Sequence, residues 1–86
     1  MTIAKPPVLY DKLRRAPGKP ISFRDFERVI VAFGFVYLRT QGSHRSYEHS
    51  RVPRLLVVQP RRGDAKPYQQ REFLDMIEEY GLRLPD

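Results

Sequence analysis

The sequence predicts a single α+β domain in which a helix, three antiparallel strands and a second helix follow in that order, with both helices on one face of the sheet. Three observations carry this reading. Apolar residues recur at helical spacing from Phe23 to Phe33 and again from Phe73 to Tyr80. Between these stretches lie runs rich in β-forming residues at 35–40, 43–49 and 55–58, parted by glycine, serine and proline. The chain has 86 residues, and a domain of that size buries only roughly 60% of its unfolded surface, which leaves room for one core.

Residues 1–20 form an N-terminal extension. Pro6, Pro7, Pro17, Gly18 and Pro20 punctuate it, and proline cannot continue a helix interior, so at most one short helix fits. Val8, Leu9, Tyr10 and Leu13 would dock such a helix on the core; a loose arm is the alternative. The domain proper is expected over 21–86. Ser22 is placed to cap the first helix, with Asp25 three residues on as its capping-box partner. Phe23, Phe26, Val29, Ile30 and Phe33 make the apolar face, and Gly34 ends the helix in the left-handed region. Residues 35–40 then form a strand, Gln41-Gly42 the turn, and 43–49 the returning strand. Ser50 to Pro53 read as a loop. Leu55-Leu56-Val57-Val58 is continuously apolar, which suits a central or well-covered strand. Pro60 ends it, and Arg61 to Ala65 form a basic loop. Pro67 fits the first turn of the last helix, where its missing amide costs nothing. Phe73, Leu74, Met76, Ile77 and Tyr80 face inward. Gly81 stops the helix, and Leu82 and Leu84 pack back. One face of the sheet remains open.

Sixteen basic residues oppose ten acidic ones, a net charge of +6, and they are unevenly spread. Residues 1–62 carry thirteen basic and four acidic residues, whereas 63–86 carry three and six. A phosphate-attracting face and an acidic final segment follow. The chain has no cysteine, so disulfides and thiolate metal sites are excluded and a reducing compartment fits. No stretch approaches the ~18 apolar residues of a membrane span, and residues 1–7 lack the apolar core of a signal peptide. A soluble, cytoplasmic protein is expected. No Walker loop, dinucleotide fingerprint or Gly-x-Ser-x-Gly elbow is present. Two histidines without an aspartate-rich cluster do not make a tetrahedral metal set. Neither a metal nor a cofactor is expected.

Chemistry concentrates at Gly42-Ser43-His44, between the first two strands. An imidazole titrates near pH ~6.5 and can give or take a proton at cellular pH. The alternative is an ordinary surface histidine at a strand end. Side chains alternate along a strand, so His44, Ser46 and Glu48 share one side and Arg45, Tyr47 and His49 the other. Tyr47 is the bulkiest of these, which assigns its side to the helices and leaves His44 on the open face or its rim. His49 then lies on the opposite side, which argues against a two-histidine acid–base pair. Arg39, Arg45, Arg61, Arg62 and Lys66 are candidates to hold phosphates, although Arg45 falls on the helix side.

Gly34-Phe35 closing a helix, a strand, Gly42-Ser43-His44, an apolar strand, a basic loop, Ala65-Lys66-Pro67-Tyr68-Gln69 and a helix ending at Gly81-Leu82 together resemble the HicA toxins over about residues 22–84. The resemblance implies a fold like a double-stranded RNA-binding domain. It implies metal-independent cleavage of mRNA, with His44 as the functional residue, and a HicB-type antitoxin as protein partner in a hetero-oligomer; from the residues themselves Gly42 and Ser43 are candidate RNA contacts, Ser43 supplying a hydroxyl or backbone amide to a phosphate or simply capping the turn. Two departures are visible. Residues 1–20 make a longer lead than many members have, and Pro60-Arg61-Arg62-Gly63 lacks the histidine that many carry in this loop. A non-catalytic RNA-binding module of the same fold is the competing reading, since such domains recognise duplex shape through phosphates and 2′-hydroxyls.

Overall fold

A computed structural model describes residues 5–85. The first four residues of the N-terminal extension lie outside that range. Three helices, α1 (Pro6–Arg15), α2 (Phe23–Ala32) and α3 (Pro67–Tyr80), accompany a sheet of β1 (Val36–Gln41), β2 (His44–His49) and β3 (Val52–Val58). A two-stranded hairpin, β4 (Pro60–Arg61) and β5 (Asp64–Ala65), lies between β3 and α3. From α2 onward the main order is the expected α-β-β-β-α, with the sheet antiparallel in the order β1-β2-β3.

Phe73 organises the core. Its ring meets Phe26, Phe33 and Phe35 edge-on at 5.7, 5.6 and 5.9 Å, a favoured aromatic geometry. One α3 side chain thereby ties together α2, the junction after it and the start of the sheet. Val29, Ile30, Leu56, Val58 and Met76 are fully buried around it. α1 adds Leu9 and Leu13, both buried, and Tyr10 packs edge-on against Phe33 at 4.9 Å. Val8 stays exposed.

Ser22 caps α2 as its position requires: its Oγ accepts from the Asp25 backbone N–H at 3.1 Å. The reciprocal half of the capping box is replaced. The Asp25 carboxylate pairs with Arg28 at 3.3 Å in place of the Ser22 amide, and one residue on the Phe23 amide donates to the Gly63 carbonyl at 2.8 Å. The start of α2 is therefore stitched to the hairpin, where Ala65 also donates to the Ile21 carbonyl at 2.9 Å. Gly34 takes φ +96° after the last turn, a conformation that costs an L side chain roughly 1–2 kcal/mol. At the far end of α3, Gly81 is left-handed and Leu82 folds back to bond the Ile77 carbonyl, burying its side chain.

Three local expectations are corrected. The turn between the first two strands is Gly42-Ser43, and Gln41 pairs with His44 across it, so the returning strand begins at His44 and not at Ser43. Gly42 at φ +61°, followed by a residue of negative φ, matches a two-residue hairpin with glycine first. Next, β3 is an edge strand and not a central one, and it begins at Val52. Leu56 and Val58 reach the core while Leu55 is 38% exposed. An unbroken apolar run does not reveal that its alternate residues face the uncovered side. Pro53 is accommodated because the β2–β3 register slips between the Tyr47 and His49 pairings, and an edge strand tolerates proline there. Finally, 61–65 is no plain loop: Pro60 pairs with Ala65 and Arg61 with Asp64.

Two buried glutamines bind the elements at one end. Gln69 and Gln70 occupy α3 positions four and three residues before Phe73, on the inward stripe, and both are buried. Gln70 accepts from the Gly18 amide and donates to the carbonyls of Lys19 and Ala65. Gln69 accepts from the Gln59 amide at 3.0 Å. Polar groups taken from water cost free energy unless partnered, and these two are partnered by backbone from the N-terminal extension, the end of β3 and the hairpin.

Candidate functional site

Strand alternation and register place the open face of the sheet. Arg45, Tyr47 and His49 all contact groups on the helix side. Arg45 and Tyr47 reach Glu27 of α2, and His49 reaches the Phe33 carbonyl. The alternate residues His44, Ser46 and Glu48 point the other way. His44 is exposed, and its ring takes part in none of the side-chain hydrogen bonds among the described residues. The exposed Gly42 and Ser43 adjoin it. Arg39, exposed and opposite Ser46 in the register, is one row away on the same face.

The second strand end comes to His44 through register. Arg45 pairs with Val58, so Gln59 lies level with His44. The chain continues from Gln59 into the hairpin. Its turn residues are Arg62 and Gly63 at φ +52° and +83°, and Arg62 is the one non-glycine residue of positive φ among those described. That conformation suits Asn-Gly in a tight hairpin; an arginine held there at some cost projects its guanidinium from an exposed tip. A groove of about 260 Å³ is lined by Arg61, Arg62, Lys66, Asp64, Gly18 and Pro20 among others. The Gly42–His44 turn and the entry to the basic hairpin thus lie at the same end of the sheet, while the Arg61–Arg62–Lys66 groove is a separate surface that His44 does not line. A more enclosed cavity of about 430 Å³ lies beneath α1, lined by Leu9, Leu13, Ile21 and Gln70 among others, and neither histidine reaches it.

Arg45 stands apart from the other candidates. Its Nε lies 3.0 Å from Glu27 Oε2 and its Nη1 donates to Glu27 Oε1 at 3.2 Å, with the guanidinium 5.2 Å over the Tyr37 ring. The Tyr47 hydroxyl donates to the same carboxylate. Burial first, and then the bond to Glu27, pushes the Tyr47 phenol far above its ordinary range. Tyr47 is therefore a neutral donor, and Arg45 is committed to holding Glu27. His49 is likewise occupied: one ring nitrogen lies 3.0 Å from the Phe33 carbonyl, and the other accepts from the Arg51 amide at 3.0 Å. No three His, Asp or Glu side chains among the described residues gather as a metal set.

Against this geometry, the family model described as the HicA toxin of bacterial toxin–antitoxin systems matches residues 23–81. The chain belongs to the HicA toxin family. The match takes in α2, the whole sheet, Gly42–His44, the hairpin and α3. Membership makes the chain a toxin of a toxin–antitoxin system, with an antitoxin as partner. No match is found among curated proteins or among solved structures. No helix among the described residues is long and apolar enough to cross a membrane.

Within this HicA-family chain, sequence reasoning gave no role to Gln59, Tyr68 or Gln69, although the last two lie in a stretch that carries the resemblance. The signal for Gln69 and its neighbour Gln70 was available: two amides occupy stripe positions where α3 otherwise carries Phe73, Met76 and Ile77. A polar pair in an inward stripe marks a place where backbone must be held.

Proposed function

We propose that this toxin is an endoribonuclease that cleaves mRNA without a metal, with His44 as general acid or base, and that a HicB-type antitoxin inhibits it by covering His44 in a hetero-oligomer. One observation carries the reading: of the two imidazoles, only His44 is exposed and free of internal partners among the described residues. RNA brings its own nucleophile. The ribose 2′-oxygen attacks the adjacent phosphorus, the bond from phosphorus to the 5′-oxygen breaks, and a 2′,3′-cyclic phosphate and a 5′-hydroxyl result. His44 accepts the 2′ proton or delivers one to the departing 5′-oxygen, a contribution of about 10²–10⁴-fold for a positioned group. Arg39, Arg61, Arg62 and Lys66 hold the phosphates and offset the charge that builds on the phosphorane. Gly42 lets the backbone approach closely, and Ser43 offers a hydroxyl or amide. Arg45 is left out because Glu27 engages it.

The deciding experiment incubates purified protein with single-stranded RNA and compares His44→Ala. Cleavage that ends in 2′,3′-cyclic or 3′ phosphate, persists in chelator and disappears in the variant is expected. Unchanged cleavage by the variant removes His44 from the mechanism. Ends bearing a 3′-hydroxyl would point to attack by water. RNA bound but never cut would favour the non-catalytic module.

A further inference from the structure

The start of α3 presents an aromatic ring that no internal packing explains. Tyr68 is 59% exposed, yet its hydroxyl accepts from the side-chain amide of the buried Gln69 at 3.2 Å. Gln69 is itself fixed by the Gln59 backbone, which register sets level with His44. The Lys66 ammonium lies 5.9 Å from the ring centre. Tyr37, the other well-exposed tyrosine at 44%, is a useful contrast. Arg45 lies over its ring and Tyr47 meets it edge-on at 5.8 Å, so packing inside the fold accounts for it. Tyr68 is held by its polar end, with Lys66 near one face, no other ring packed against it among the described residues, and the rest of the ring exposed.

We propose that Tyr68 is a binding residue that stacks an unpaired nucleobase of the RNA, while Lys66 takes a neighbouring phosphate. The inference rests on the ribonuclease reading and deepens it by naming the substrate class: RNA that is single-stranded where it crosses α3. Base–aromatic stacking tolerates any base, because each has a π-face, and it requires that the base be out of a duplex. A ring pinned through its hydroxyl is already oriented, so little freedom is lost when a base settles on it.

The test uses the full chain carrying His44→Ala, so that RNA survives, and reads fluorescence anisotropy of a short labelled single-stranded RNA of mixed sequence at fixed salt. Adding Tyr68→Ala is expected to weaken binding by about ten-fold or more, whereas Tyr68→Phe and Tyr68→Trp retain most of it. The same RNA annealed to its complement is expected to bind less tightly and to be indifferent to Tyr68→Ala. Far-ultraviolet circular dichroism and thermal unfolding check that each variant is folded; the exposure of Tyr68 predicts that they are. Single-stranded RNA held equally well by Tyr68→Ala overturns the inference alone. Equal losses in Tyr68→Ala and Tyr68→Phe overturn it too, by assigning the effect to the hydroxyl. An effect confined to antitoxin binding, with RNA affinity intact, assigns the ring to the protein partner and overturns it. No RNA binding by the His44→Ala protein at all overturns the proposed function and this inference together.

Discussion

His44 and His49 stand at opposite ends of one six-residue strand and differ in everything except the imidazole. His49 faces the helices. It spans the Phe33 carbonyl and the Arg51 amide, and its ring packs edge-on against Phe35 at 5.0 Å. Accepting from Arg51 at Nδ1 leaves Nε2 to donate to Phe33, so one neutral tautomer satisfies both bonds. His44 faces away, exposed, with both ring nitrogens available to a ligand. The comparison teaches that strand parity and local partners, not residue type, decide whether a histidine is bound into the fold or left free for a ligand.

Mutations can break this contrast. The largest effect is expected from His44→Ala: RNA cleavage should fall by about 10²–10⁴-fold while the thermal unfolding midpoint stays put. A shifted midpoint would show that His44 has a structural task. Gly34→Val attacks the other histidine from below. A Cβ at Gly34 would come within 3.1 Å of His49 Nε2, and φ there is +96°. A loss of about 2 kcal/mol or more in denaturant unfolding is expected. His49→Ala should cost about 1–3 kcal/mol by deleting two hydrogen bonds and an aromatic contact, yet leave cleavage per folded molecule unchanged. Lost activity in a fully folded His49→Ala sample would make the two histidines an acid–base pair after all. Ser22→Ala should cost only about 1 kcal/mol through the lost α2 cap, with neither histidine involved, and so calibrates how a purely structural change registers in the cleavage assay.

Much of this was legible because it is written in local chemistry. The Ser22 cap, the Gly34 and Gly81 terminators, the inward stripe of α2 and the assignment of Tyr47 to the helix side follow from neighbours in sequence, and the last of these put His44 on the open face. What stayed hidden depends on partners far along the chain. Leu55-Leu56-Val57-Val58 looks the same whether one strand or two flank it, so its place at the sheet edge could not be read. The hairpin at 60–65 has an arginine where an asparagine would have signalled the turn. Asp25 pairs with Arg28 and not with the Ser22 amide, and Gly63, far along the chain, accepts from the first amide of α2. The relation between Gln59, Gln69 and Tyr68, which draws α3 into the site, depends on contacts between separate elements.

Gln70 carries a practical consequence. Its single amide clasps residues 18 and 19 on one side and Ala65 on the other, so the proline-studded leader is wired to the arginine hairpin. Pruning residues 1–20 to obtain a shorter toxin would remove two of that amide's three backbone partners and open it to water, and the slackening would be felt at the hairpin through Ala65.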